Sequence, residues 1–273
     1  MMNDKTTQIL LTNDDSIHSP GLWAAAEALD PLGFVHVVAP RNQQSGTGRS
    51  MPIHSSGIIE EMTLHVNDKD WPVYAVDGSP GQAVLHGIYD VVQGRPDLVV
   101  SGINYGENVG TGITISGTVG AALEAASLGI PALAVSMQTR REHHLSLSQD
   151  IDFYVAGLFT QKVARAILKN NLPDDVDVIK MEVPENATPE TAWDLTRQSR
   201  RRYYVPKPAK RASMAERGPI GYEVRFDLDD LEPGTDLHAL LVEKHVSITP
   251  ISIDMTSRTE FDQLETLLKK RMR

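Results

Sequence analysis

Two adjacent carboxylates, Asp14 and Asp15, follow the apolar run Ile9-Leu10-Leu11. Such a run reads as a strand buried on both faces. Strand side chains alternate sides, so neighbouring carboxylates converge on one point only where the strand breaks into a loop. Two readings fit them: a cation site at a strand end, or an Asx-turn in which Asp15 caps the helical pattern opened by Pro20-Gly21. Two more strand-to-loop junctions carry oxygen donors and glycines, Ser45-Gly46-Thr47-Gly48 and the stretch from Asn104 to Gly112. Ligands of an open parallel sheet bind at the carboxyl ends of its strands, which would put all three junctions on one edge. Two carboxylates, a hydroxyl and a carboxamide form an all-oxygen set, suited to Mg²⁺, Mn²⁺ or Ca²⁺ and wrong for a structural zinc. Ser116-Gly117-Thr118 at a helix start adds backbone N–H groups suited to an anion such as phosphate. A cation beside an anion cradle is what metal-assisted phosphoester hydrolysis requires. Ser45 as a nucleophile is the competing reading, but no His or Lys is placed by sequence as its base.

The elements that must position these residues alternate. Helical spacing of Leu22, Ala25, Ala26 and Leu29 is stopped at Pro31-Leu32-Gly33, and Phe34 to Ala39 reads as a second strand that ends at Pro40. Residues 53 to 76 read as a β-excursion. Ser79-Pro80 fits an N-cap with proline at the first helical position. Asp97 to Ser101 reads as a strand emptying into the glycine-rich loop 102–112; a helix from Ser116 to Gly129 and a strand from Ile130 to Val135 follow. This alternation predicts an α/β fold, a Rossmann-like, mostly parallel sheet with helices on both faces. The metal- and phosphate-binding core is expected over 1–136. Residues 137–273 are expected to hold a helix near 151–169, a strand at 177–183, a polar stretch 185–221, strands at 222–228 and 246–251 and an amphipathic helix near 257–271. The whole is expected to form one continuous unit.

Composition limits the function. The 273 residues are 41% hydrophobic and 23% charged, enough for a sizeable core. A formal net charge of −10 argues against a nucleic-acid or membrane-surface binder. The basic run 197–211, with Tyr203 and Tyr204, therefore reads as a solvated face or a subunit interface rather than a nucleic-acid patch. Absence of cysteine excludes thiolate catalysis and disulfides. No apolar h-region follows Met1-Met2-Asn3-Asp4-Lys5 and no run approaches ~18 apolar residues, so a soluble, cytoplasmic protein is expected. There is no G-x-x-x-x-G-K-[ST], and no G-x-G-x-x-G after the first strand.

Five ordered stretches carry a resemblance: T-N-D-D-S-I-H-S-P-G-L (12–22), V-V-A-P-R-N-Q-Q-S-G-T-G-R-S (37–50), G-S-P-G-Q-A-V (78–84), D-L-V-V-S-G-I-N-Y-G-E-N-V-G (97–110) and S-G-T-V-G-A-A-L-E-A (116–125). With G-T-D-L-H-A-L (234–240) and V-S-I-T-P-I (246–251), they resemble the motifs of the SurE family of metal-dependent 5′-nucleotidases. The resemblance implies hydrolysis of nucleoside monophosphates to nucleoside and phosphate by metal-activated water. It implies one divalent cation per subunit, Mg²⁺ or Mn²⁺, on Asp14, Asp15, Ser45 and Asn104, with Asp14 or Asp15 the first candidate for general base. Asn108 and the Ser116-Gly117-Thr118 turn would face the phosphate. It also implies a C-terminal β-hairpin and terminal helix used to form a homodimer or homotetramer. Other phosphoesters, such as short polyphosphate or sugar phosphates, and a non-catalytic nucleotide-binding module are the alternatives. An aspartyl phosphatase of the haloacid-dehalogenase type is disfavoured, because its D-x-D spacing is absent. Two departures stand out. Ser16 occupies a position that is usually glycine in the family, where a left-handed backbone would be strained, and Gly78-Ser-Pro-Gly-Gln-Ala83 replaces the usual G-T-P-A-D-C. His18 reads as a surface or capping residue; His143 and His144 receive no role.

Overall fold

The computed structural model describes residues 6–270; Met1–Lys5 and the last three residues lie outside the described residues. Its centre is a nine-stranded sheet of order β3-β4-β2-β1-β5-β6-β7-β11-β8, with β1 Gln8–Thr12, β2 Phe34–Pro40, β3 Ile59–Val66, β4 Lys69–Val76, β5 Leu98–Tyr105, β6 Ala132–Met137, β7 Val178–Val183, β8 Trp193–Leu195 and β11 Val246–Ile251. From β4 through β2, β1, β5 and β6 to β7 every neighbouring pair is parallel. Antiparallel pairing appears toward the edges, at β3–β4 and β7–β11. The expected Rossmann-like sheet is thus present, and the 53–76 excursion is the β3–β4 hairpin, with β4 also serving as a parallel strand beside β2.

Burial explains the layers. Ile9 and Leu11 of β1 share one core with helix α1 (Pro20–Leu29) and helix α4 (Tyr154–Lys169). Leu10 points the other way into a second core with α2 (Pro80–His86) and α3 (Gly117–Ser127). The period-2 alternation of a strand covered on both sides produces this split. At Ser79 the expected cap is realised as a capping box with Gln82. A third cluster, made by Val109, Tyr203, Leu231, Leu237, Leu240 and Leu241, ties the loop after β5 to the C-terminal part.

Three local expectations need correction. The strand expected at 97–101 runs on to Tyr105, so Asn104 lies on a strand rather than in a loop, just after a register shift between Ser101 and Asn104. The stretch 185–221 is not irregular throughout: it contributes β8 to the sheet edge and β9 (Tyr204–Lys207). The strand expected at 222–228 is β10 (Gly221–Val224), which closes an antiparallel hairpin with β9, and a 3₁₀ turn occupies Leu228–Asp230. The short helix α5 (Asp236–His238) and the C-terminal α6 (Phe261–Lys269) complete the fold. Among the described residues no helix is long and apolar enough to cross a membrane.

Candidate active site

The chain winds outward from β1 in both directions, first to β2 and β4, then back across to β5, β6 and β7. A reversal of strand order opens a crevice at the carboxyl ends of β1 and β5. Asp14 and Asp15 emerge there from β1, and Asn104 stands at the end of β5. Ser45 comes from the loop after β2, which is pinned at two points. Gln44 N donates to Asp14 O at 2.7 Å, and Gly48 N donates to Ile115 O at 3.0 Å.

Both carboxylates are buried. Asp14 accepts from Thr118 Oγ1 at 2.6 Å at the N-terminus of α3, and the nearby backbone N–H groups of Gly117 and Thr118 partly offset the effect of its burial. A Cβ added at Gly117 would lie 2.6 Å from Asp14 Oδ2, so only glycine lets the helix come this close. Asp15 accepts from Gln43 Nε2 at 2.8 Å and from Tyr105 N at 3.1 Å. It therefore does not cap α1, whose N-cap is Ser19. Burial pushes the Asp14 carboxyl up to about 6. Burial, reinforced by the charge of Asp14, pushes Asp15 up to about 8. The Nδ2 of Asn104 donates to Gly106 O at 2.6 Å and Tyr105 O at 3.3 Å, which leaves its Oδ1 for a ligand.

Asp14, Ser45, Asn104, Asn108 and Ser116 line one cavity of about 420 Å³. Asp15 and Thr118 stand behind that lining, in contact with it through Tyr105 and Asp14. The Ser116 hydroxyl caps α3 by accepting from Val119 N at 3.1 Å. No hydrogen bond joins Ser45 to a base among the described residues, and His18 is exposed at the surface. The donor set is hard oxygen throughout, and its two buried carboxylates are held above their ordinary range for want of a compensating charge. These residues fit a divalent cation of the Mg²⁺ or Mn²⁺ type.

The aromatic part of the lining carries little signal in the sequence. His144, Tyr204 and Tyr222, with Ile115, face the same cavity. Tyr204 and Tyr222 pack edge to face at 5.3 Å across the β9–β10 hairpin. His144 Nδ1 lies 3.1 Å from the Tyr222 hydroxyl, and Arg141 sits over the Tyr222 ring at 4.8 Å. The Tyr204 hydroxyl donates to Glu107 O at 3.0 Å. The run 197–211 is therefore more than a solvated face: Arg202, Tyr204 and Pro206 form part of the cavity. Tyr203-Tyr204 inside a basic stretch was the one available signal, and nothing near His144 marked it.

A Rossmann-like sheet with buried carboxylates and neutral oxygens around a cavity at its switch point defines an α/β protein of the open-sheet class. The model of the family "Survival protein SurE" matches residues 9–205, and the chain belongs to that family. It is 42% identical over 266 residues to a protein of Thermococcus gammatolerans named 5′-nucleotidase SurE, covering 96% of each. A protein of the same name from Methanocella arvoryzae is 42% identical over 269 residues, covering 97% of this chain and 98% of its own. The crystal structure of SurE from Aquifex aeolicus superposes with a TM-score of 0.74 at 32% identity, covering 96% of this chain and 99% of that one.

Ser16, the residue beside the pair, adopts φ 101° and is buried. A non-glycine residue there carries backbone strain of roughly 1 kcal/mol or more. Ser16→Gly is expected to raise stability by about 1 kcal/mol, or about 2–4 °C in Tm for a chain of this size. Thermal melts of both proteins check this, and an unchanged or lower Tm would show that the strain is relieved elsewhere.

Proposed function

We propose that the protein is a divalent-metal-dependent phosphomonoesterase that hydrolyses nucleoside 5′-monophosphates. The observation carrying this reading is the mixed lining of one cavity of about 420 Å³, the scale of a small-ligand site: the carboxylate, hydroxyl and carboxamide oxygens of Asp14, Ser45 and Asn104 share it with the aromatic rings of Tyr204 and Tyr222. A phosphate-only substrate has no use for the aromatic wall, whereas a nucleobase stacks on it. The named activity of the relatives agrees.

Asp14, Asp15, Ser45 and Asn104 would hold the cation. When bound, it supplies Lewis-acid charge to a phosphate oxygen and favours ionisation of the attacking water. The protein's own residues do the remainder. Thr118 and the N-terminus of α3 hold Asp14 in one orientation, and Gln43 and the Tyr105 N–H do the same for Asp15. Ser116 and Asn108 face the phosphoryl oxygens, and a carboxylate of the pair takes the proton of the water. Tyr204, Tyr222 and Ile115 exclude water from the base and orient the ester for in-line attack.

Phosphate release from a panel of 5′- and 3′-nucleoside monophosphates and from tripolyphosphate, with Mg²⁺ or Mn²⁺, tests the reading. Turnover of 5′-nucleotides is expected to exceed that of the other esters. Losing only the partner of a metal ligand costs about 10–100-fold, so Asp14→Asn, which removes a ligand, is expected to cost more than about 100-fold. Tyr204→Ala is expected to raise KM for AMP about fivefold or more, the value of one stacked base, with tripolyphosphate hydrolysis unaltered. Full activity of Asp14→Asn in saturating metal would refute the site, and tight nucleotide binding without turnover would make the protein a binding module.

The carboxyl shifts set a pH dependence. Folded Asp14 and Asp15 bind protons up to about 6 and about 8, against about 4 for an unfolded aspartate. Their contribution to stability is therefore lost as pH rises from about 4 through 8 in metal-free protein. A cation restores it by replacing the protons. The rise in Tm on adding Mn²⁺ is expected to be larger at pH 8 than at pH 5 and to be lost in Asp14→Asn; an equal rise at both pH values would count against metal ligation by the pair.

Assembly through the C-terminal part belongs to the same proposal. Phe261, Leu264, Leu267 and Leu268 of α6 are exposed on a helix that buries no residue. A second copy covering them would relieve an unusual apolar surface. Light scattering is expected to give a dimer or tetramer that Leu264→Glu/Leu267→Glu dissociates; a monomeric wild-type protein would exclude this.

A further inference from the structure

Behind the Asn108 side of the cavity lies a polar cluster with no access to solvent. Lys180 and Glu182, two residues apart on β7 and hence on the same face, have fully buried side chains, as has Asp236 of α5. Lys180 Nζ stands 3.3 Å from Glu182 Oε1 and 3.3 Å from Asp236 Oδ2. Burial alone would strip the ammonium of its proton; the two carboxylates reverse this and hold it above its ordinary value. At Glu182 burial outweighs the attraction of Lys180 and leaves the carboxyl raised to about 7.

Each member of the cluster also bonds directly to the loop that carries Asn108. Lys180 Nζ donates to Asn108 O at 3.0 Å, and Asn108 N donates to Glu182 Oε2 at 2.9 Å. Asp236 Oδ2 accepts from Gly110 N at 3.1 Å, and Asp236 Oδ1 accepts from Ser199 N at 2.8 Å. Both peptide groups flanking the Cα of Asn108 are thereby clamped. Its carboxamide is fixed in turn by Nδ2 donating to Ser136 Oγ at 2.9 Å. The clamped segment lies between Gly106 and Gly110, both with positive φ, where the chain has little stiffness of its own.

A buried ion cluster is a poor source of stability, since apolar residues of the same volume commonly serve the fold as well or better. What apolar residues cannot do is hold two peptide groups of a glycine-flanked loop. We infer that Lys180, Glu182 and Asp236 form a buried ionic brace that positions Asn108, with Ser136, against the phosphoryl group. They are positioning residues and touch no substrate. The inference rests on the phosphomonoesterase reading of the cavity.

Wild-type turnover of AMP, measured first, tests that reading separately; absent turnover with Mg²⁺ and Mn²⁺ defeats the reading, while the brace is then judged by exchange alone. In wild-type protein, hydrogen–deuterium exchange at the amides of Asn108 and Gly110 is expected to be as slow as in the core of β7, and loop-like exchange would overturn the brace. The near-isosteric variants Glu182→Gln and Asp236→Asn, and Ser136→Ala outside the ionic cluster, are then compared at 25 °C. In folded variants kcat for AMP is expected to fall about tenfold or more, because a displacement near 1 Å costs up to about 100-fold. Mn²⁺ affinity by calorimetry is expected to stay within twofold, since Asp14 and Asp15 are untouched. A lowered Tm with unchanged kcat and KM would make the cluster structural only and refute the inference. Should Glu182→Gln or Asp236→Asn fail to fold, kcat of Ser136→Ala together with the wild-type exchange decides it.

Discussion

Two carboxylates adjacent in sequence and both out of water repel each other while each has lost most of its hydration, and the surrounding structure is arranged to relieve them. Asp14 takes the hydroxyl of Thr118 and the N-terminal end of α3. Asp15 takes a carboxamide from the loop after β2 and a backbone N–H from β5. Each donor comes from a different segment, so the pair gathers three strand ends and one helix to a single point. Gly117 is dictated by the same constraint, because α3 can reach Asp14 only where no Cβ intervenes. These contacts lower the cost of burial without removing it, and both carboxyls remain shifted upward. A site left in that condition has a standing affinity for positive charge.

On the proposed reading, that residual demand also explains how a chain of formal net charge −10 would accommodate a phosphate. A helix N-terminus is an ordinary anion site, but Asp14 already sits against the start of α3. Ser116 Oγ accepts from Val119 N as the α3 cap and keeps its own hydrogen to donate, and one of the two carboxamide hydrogens of Asn108 goes to Ser136. These are neutral donors, and Arg202 is the one Lys or Arg among the described residues that line the cavity. On the proposed reading the cation would supply most of the positive charge that the phosphate meets.

The sheet could be read from the sequence because its information is local and periodic. Ile9 to Leu11, Phe34 to Ala39 and Ile130 to Val135 are apolar runs bounded by proline, glycine or acidic turns, and α/β alternation then restricts topology to few choices. The oxygen-lined half of the cavity was legible for the same reason: its residues follow strands directly. Gly102 disguises the continuation of β5, so Asn104 reads as a loop residue. The aromatic half was not legible. His144 precedes α4, and Tyr204 and Tyr222 sit on a hairpin whose strands are short, half exposed and surrounded by polar residues. What brings them to Asn104 is packing between segments about 40 to 120 residues apart in sequence, which no local pattern encodes.

The C-terminal half is consequently part of the site and not an appendage to it. β7 is the next parallel strand of the sheet, yet two of its six residues are ionised types in a fully buried strand. Their period-2 spacing in V-I-K-M-E-V places both on one face, and a charged pair on such a face must find partners or abandon its charge. Those partners are the backbone at Asn108 and Asp236 from α5, which in turn accepts from Gly110 N. Around the same loop, Val109 enters the apolar cluster of Tyr203, Leu237 and Leu240, and Thr111 N donates to Arg201 O at 3.0 Å. The loop after β5 is thus held on one side by the carboxylate pair, through Tyr105, and on the other by the C-terminal segments. A glycine-rich loop without either anchor would sample many positions. With both, its side chains are held in one arrangement at the cavity that Asp14 lines.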